Sequence, residues 1–265
     1  MGNVSERRKQ PPQVGVSVVI LALGPVPQSD VGAGAASSGM GSTLWMPLVK
    51  RVRQPFLGQW ALPGGGLRAD HSLEQSAYAA LESTTSLHPK YLEQLYTFGD
   101  PARSHGGLPM VSIVYWALVG DGRIDFAGGD NVKWFPVNHL PELAFDHRTI
   151  VEYAMNRLRG KIESPDIATR LVGERFTLSQ LHDVYEAIAG QRIDLANFRR
   201  KMLASGLLED TGEKLRIGRN RPAAVYRYSR KPGTDLWTEA GTASESDDTR
   251  IAFQDDDALS ALMTA

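Results

Sequence analysis

The chain has 265 residues, no cysteine and a formal net charge of −1. At 42% hydrophobic and 22% charged it has the composition of a soluble globular protein, and its length fits two domains. The lack of cysteine excludes disulfides, thiolate nucleophiles and cysteine zinc sites, which fits a reducing cytoplasm. No long uncharged apolar run reaches membrane-spanning length, and Ser5-Glu6-Arg7-Arg8-Lys9 leads to prolines rather than to a signal core.

The near-neutral total hides a division. Residues 1–169 are balanced, residues 170–230 carry +5 and residues 231–265 carry −6. A neutral domain, a basic domain and an acidic tail imply three different jobs.

Residues 1–13 read as a flexible N-terminus. Val14 to Leu23 is continuous and β-branched, the pattern of a buried strand. Residues 24–42 are rich in Gly, Ala and Ser and read as a surface insertion. The strand from Thr43 to Arg53 ends in Lys50, Arg51 and Arg53, cations that either hold a diphosphate or simply solvate a strand end.

Leu62-Pro63-Gly64-Gly65-Gly66-Leu67 follows. Glycine lets backbone turn sharply and approach a ligand closely. Leu73, Ala77, Ala80, Leu81 and Thr84 then recur at helical spacing, predicting a helix from Ser72 to Leu87. Phe98-Gly99-Asp100-Pro101 opens a loop through Arg103. Strands are expected at Met110 to Val119 and Asn131 to Val137, and a helix from Ala144 to Ile162. Its Asp146-His147 pair reads as packing or capping, because no nucleophile or metal cluster accompanies it. The six histidines have no metal-ligand spacing. Residues 14–163 therefore describe an α+β sandwich around a mixed sheet.

Residues 164–230 form the second expected domain. Thr177-Leu178-Ser179-Gln180 matches a capping box. The helix after it presents Leu181, Val184, Tyr185 and Ile188 on one face and stops at Gly190. Asp194 caps a second helix, Leu195 to Ala204, with Leu195, Phe198, Met202 and Leu203 expected inside: a helix-turn-helix. Asn197, Arg199, Arg200 and Lys201 lie on its outer side. Lys214, Arg216, Arg219 and Arg221 sit on a basic β-hairpin, the wing. Cations on helix and wing together suit the phosphates of double-stranded DNA, and Asn or Arg on the helix can read base edges. Residues 231–265 read as an acidic, disordered tail.

Gln59-Trp60-Ala61-Leu62-Pro63-Gly64-Gly65 resembles the entry to the loop-helix signature of Nudix hydrolases. Aligned on Gly65, the signature's first Glu falls on His71, its Arg-Glu pair on Ala79-Ala80 and its Glu-Glu pair on Ser83-Thr84. The resemblance thus keeps the backbone-shaping residues and loses the carboxylates that hold Mg²⁺. Taken with the winged helix, the chain resembles the NrtR family of Nudix-related regulators of NAD metabolism. Further blocks carry this likeness: Tyr96 to Pro101, Leu143 to His147, Asn197 to Met202 and Arg221-Pro222-Ala223.

The resemblance implies an α/β/α Nudix-like domain without catalytic residues or a bound metal, joined to a winged helix-turn-helix. It implies a dimeric bacterial repressor of NAD synthesis or salvage genes, released from its operator by ADP-ribose. Effector contacts are then expected from Arg51, Arg53, Gly64, Gly65, Gly66, Phe98 and Arg103. Two other readings stay open. One is an active pyrophosphatase that uses Mg²⁺ on Asp70, Glu74 and Glu82; the other is a DNA-binding protein whose first domain only dimerises.

Overall fold

The computed structural model describes residues 11–27, 42–85, 89, 91–104, 109–120, 131–162, 165–216 and 221–229. Most of the expected N-terminal segment, most of the 24–42 insertion, Arg219 and the acidic tail lie outside the described residues. The chain divides into two compact units, Met1–Leu158 and Arg159–Ala265. Among the described residues no helix is long and apolar enough to cross a membrane.

The first unit is built on β1 (Gln13–Pro25). Its apolar run is continuous because both faces of the strand are covered, so Val16 and the residues from Val18 to Ala22 are all buried. Around it stand β2 (Ser42–Lys50), β3 (Trp60–Ala61), β4 (Gly64–Gly66), β5 (Leu92–Phe98), β6 (Met110–Val119) and β7 (Val132–Pro136). The sheet order is β3-β2-β1-β6-β5, with β4 also on β1 and β7 also on β2. Among the described strand pairs only β1–β6 is parallel, so the sheet is mixed, as expected. Helix α1 (Leu73–Thr85) buries Ala77 and Leu81 against Val16, Val18, Ile20 and Ala117. Burial of Leu81 alone is worth about 2 kcal/mol by transfer. Helix α2 (His147–Gly160) buries Ile150, Val151, Ala154, Met155 and Leu158.

Several boundaries differ from those expected. β1 runs on through Gly24 and Pro25, since these residues pair with Thr43 and Ser42 of β2. β2 ends at Lys50, and Arg51 and Arg53 belong to the following loop. The glycine segment is itself a strand. β5 was not expected: an edge strand reading Leu-Glu-Gln-Leu-Tyr-Thr-Phe has little apolar alternation. Helix α2 starts at His147 rather than Ala144 because Phe145 has φ 56°, a left-handed conformation that a helix cannot contain.

The second unit contains α3 (Pro165–Val172), β8 (Phe176–Thr177), α4 (Leu178–Ala189), α5 (Leu195–Ala204), β9 (Leu208–Leu215) and β10 (Ala223–Tyr228). Its small sheet has the order β8-β10-β9. The Thr177/Gln180 capping box forms, Gly190 closes α4 with φ 72°, and the Asp194 side chain accepts from the Asn197 amide at 2.7 Å. On α5, Phe198 and Met202 are buried, but Leu203 is 53% exposed. One residue is 100° of helix, so Leu203 turns off the stripe that Phe198 and Met202 define. Phe198 stands between the rings of His182 and Tyr185 on α4, with centroids 5.2 and 5.1 Å away.

Candidate functional site

Strand β4 lies antiparallel on β1, pairing Gly66, Gly65 and Gly64 with Gly15, Val16 and Ser17. The Val18 amide donates to the Pro63 carbonyl, and the Leu67 amide donates to that of Val14, both at 2.9 Å. Antiparallel pairs alternate between bonded and non-bonded, so Val16/Gly65 is a bonded pair while Gly64 and Gly66 turn their N–H groups away from β1. Gly64 is required by contact. A Cβ there would run into the Val16 carbonyl oxygen and lie 2.9 Å from Ser17 Cα, whereas Gly65 and Gly66 have nothing within 4 Å of theirs.

Above these glycines is a cavity of about 190 Å³, lined by β4 together with Val16, Arg68, His71, Ser76, Ala79, Ala80 and Ser83. Ser72 starts α1 with a capping box. Its Oγ accepts from the Gln75 amide, and the Gln75 side chain accepts from the Ser72 amide. That start directs positions 76, 79, 80 and 83, one helical face, at the cavity. Four signature positions that carry charge in a hydrolase are therefore on this wall as His71, Ala79, Ala80 and Ser83. The fifth, Thr84, donates its hydroxyl back to the Ala80 carbonyl at 2.7 Å.

Mg²⁺ takes hard oxygen ligands, carboxylates above all. Among the described residues no lining side chain is a carboxylate. Glu74 and Glu82 are exposed and off the wall, and Asp70 accepts a two-pronged hydrogen bond from Arg68 at 3.1 and 3.0 Å. The donor set does not fit magnesium. What the wall offers is a guanidinium, an imidazole and small side chains, and His71 Nδ1 is buried with no hydrogen-bond partner.

The other expected effector residues sit elsewhere, and two of them, Arg51 and Arg103, are held on Phe145 and Asp146. Arg51 stacks over the Phe145 ring at 4.6 Å and donates from Nε to the Pro55 carbonyl. Arg103 is buried. It forks onto Asp146 with two bonds of 2.9 Å, and its third nitrogen donates to the Phe98 carbonyl at 2.8 Å. Phe98 packs edge-on to Tyr153 and Tyr96. His147 is buried and accepts the Leu62 amide on Nδ1 at 3.0 Å. Burial chiefly, with Arg103 and Arg51 adding to it against the opposing pull of Asp146, lowers its pKa to about 4. The ring is therefore neutral near pH 7, with its proton on Nε2. So Gly64, Gly65 and Gly66 line the cavity; Arg51 and Arg103 instead hold Phe145 and Asp146, Phe98 supplies its carbonyl to Arg103, and Arg53 is exposed on the loop.

In the second unit Arg199 and Arg200 are exposed and Asn197 and Lys201 half-buried on α5. Arg200 donates to the Asn197 side chain at 2.6 Å, and Arg199 to Ser179 at 3.0 Å. Lys214, Arg216 and Arg221 are exposed at the end of the wing, unpaired among the described residues. Lower on the wing, Arg227 pairs with Glu209 and Arg175 with Glu213. A lock in the turn before α5 was not anticipated from sequence. Glu186 accepts the Ile193 amide at 2.8 Å, and His182 Nε2 bonds the Ile193 carbonyl at 2.8 Å. The i, i+4 spacing of His182 and Glu186 on α4 was the available signal.

A Nudix-type glycine strand and helix in one unit, and a basic winged helix in the other, define a Nudix-related transcription regulator. The NUDIX domain profile matches residues 33–154 and the NrtR DNA-binding winged helix domain matches residues 168–228. The chain is 31% identical over 188 residues to the "ADPR responsive transcriptional repressor NtrR" of Acinetobacter baylyi, across 69% of this chain and 74% of that protein. It is also similar to the crystal structure of Shewanella oneidensis NrtR complexed with a 27mer DNA: 34% identity, TM-score 0.63, covering 82% of this chain and 93% of that one. A shorter match, 34% over 116 residues, is to the ADP-ribose pyrophosphatase of Methanocaldococcus jannaschii, across 43% of this chain and 67% of that enzyme. The chain belongs to the NrtR family of Nudix-related transcriptional regulators.

Proposed function

We propose that this protein is a repressor that holds operator DNA through α5 and the wing and releases it when ADP-ribose occupies the cavity above β4. The observation that carries the reading is the wall of that cavity. Its glycine backbone is kept for close approach, and the signature's charged positions on it have become Ala, Ser and His. Such a site binds without turnover, so effector concentration sets operator occupancy through different affinities for two states. The similarity to a repressor described as ADPR responsive supports the choice of effector. Asn197, Arg199, Arg200 and Lys201 serve as the helix contacts; Lys214, Arg216, Arg219 and Arg221 serve as the wing contacts. Two copies on a palindromic operator, with NAD synthesis or salvage genes behind it, complete the reading, which rests on the family.

The test is a band-shift titration of the chain on a palindromic operator at moderate salt. Specific binding that ADP-ribose reverses is expected; no specific complex would end the proposal. The similarity to a pyrophosphatase gives the rival outcome, AMP released from ADP-ribose with Mg²⁺. The loss of carboxylates from the cavity wall argues for no turnover.

A further inference from the structure

The winged helix shows its cations to solvent in two places. On α5, Arg199 and Arg200 are exposed, and their hydrogen-bond partners Ser179 and Asn197 are neutral. On the wing, Lys214, Arg216 and Arg221 are exposed. Each place also holds a leucine open to water, Leu203 at 53% and Leu215 at 42% exposure. Such a surface fits a ligand that is both acidic and apolar. The chain carries one. Residues 231–265 hold eight Asp and Glu against Lys231 and Arg250. Apolar residues are interleaved with these acids: Ile251 and Phe253 stand between Asp247-Asp248 and Asp255-Asp256-Asp257, and Leu259, Leu262 and Met263 follow. The point of departure is fixed. The Ser229 amide donates to the Leu207 carbonyl at 2.7 Å, and Tyr228 pairs with Leu208, so the tail leaves the fold just past the end of α5. Asp247 is 18 residues beyond Ser229, a length that reaches up to about 60 Å, whereas the 10 residues of α5 span only about 15 Å.

We infer that the acidic tail docks on α5 and the wing of its own chain and competes there with nucleic acid. Its carboxylates meet Arg199, Arg200, Lys214 and Arg216, and its apolar residues cover Leu203 and Leu215. The inference goes beyond the repressor reading, since it sets how tightly the protein holds any duplex rather than which operator or effector it uses. Guanidinium and ammonium groups take a carboxylate as they take a phosphate. A tethered segment meets its site at an effective concentration in the millimolar range, so individually weak contacts suffice. A duplex then has to displace the tail, and its apparent affinity falls with the fraction of chains whose surface is open. Exposed charges are screened by salt, so the competition is strongest when salt is low.

The test takes two measurements on the full chain. The first is zero-length carbodiimide crosslinking, mapped by mass spectrometry. A bond between Lys214 and a carboxylate of residues 245–257 is expected in monomeric product, suppressed by a duplex of about 30 base pairs of arbitrary sequence. The second is fluorescence anisotropy of the same duplex with the parent and with a variant combining Asp247→Asn, Asp248→Asn, Asp255→Asn, Asp256→Asn and Asp257→Asn. At about 50 mM salt the variant should bind roughly threefold tighter or more, and the gap should close by about 200 mM. Tighter binding without the crosslink is a bare effect of net charge and overturns the inference. So does a crosslink confined to covalent dimers, or a variant that binds like the parent; each of these leaves the repressor reading standing. A duplex that neither protein binds at low salt overturns both.

Discussion

The backbone amide of Leu62 donates to Nδ1 of buried His147 at 3.0 Å, across 85 residues of chain. This bond joins the approach to the glycine strand to the first residue of α2. It also places a titratable ring where a charge is poorly tolerated, since a protonated Nδ1 can no longer accept. The folded pKa is about 4 against an ordinary 6.5. As pH falls through the unfolded value, the unfolded chain takes up a proton that the folded one refuses. Stability is therefore fully present above pH 6.5 and falls between 6.5 and about 4, by roughly 3 kcal/mol at most. Urea melts at pH 7 and pH 5 should show the loss. His147→Asn keeps a carbonyl acceptor near the same place without the titration, so its pH dependence should be shallower.

Arg103 and Asp146 form the next joint of the same segment, one side chain almost fully buried and the other 23% exposed. Removing one partner leaves a charge stranded. Asp146→Asn should cost about 3 kcal/mol, read as a shift of the urea midpoint with an unchanged slope. A loss below about 0.5 kcal/mol would mean that the pair is as weak as an exposed one.

The three glycines of β4 are not equivalent. Gly64→Ala drives a Cβ into the Val16 carbonyl and should cost roughly 2 kcal/mol or more, whereas Gly65→Ala meets no neighbour and should cost under about 0.5 kcal/mol. Paired thermal melts would decide it, and equal losses would mean that the close approach to β1 is not what demands glycine at 64.

On the nucleic-acid side, Arg200→Ala and Lys214→Ala should each weaken operator binding without moving the melting temperature. The expected cost is about 1–3 kcal/mol where a base edge is read and less where only a phosphate is met. Glu186→Gln is the informative companion. It touches no DNA in this reading, yet it weakens the acceptor for the Ile193 amide in the turn that orients α5. Reduced operator affinity with an intact far-ultraviolet spectrum would assign it that positioning role; parent-like affinity would remove it.

Local signals in the sequence were legible because their cause is local. Thr177 with Gln180, Gly190 and Asp194 are capping chemistry spread over a few residues, and each reappears as an observed bond or dihedral angle. The glycine segment was equally plain, although its pairing with Gly15 and Val16 was not. Long-range partners left no trace: Arg103 and Asp146 are 43 residues apart, and nothing in either neighbourhood names the other. β5 escaped because an edge strand is held by a neighbour's backbone rather than by its own apolar pattern. Arg103 is a case in kind, since a basic residue in a loop looks the same in sequence whether it awaits a ligand or is already satisfied by a buried acid.

The pairing of Arg227 with Glu209 and of Arg175 with Glu213 changes what the +5 of residues 170–230 means. A cation neutralised within its own fold holds fewer small ions from solution, and so has fewer to give up when a polyanion arrives. Affinity of such a surface for nucleic acid then declines less steeply with added salt than its tally of basic residues would foretell. On the proposed reading the grip then falls to the exposed cations of α5 and the wing, while Arg175 and Arg227 serve the architecture.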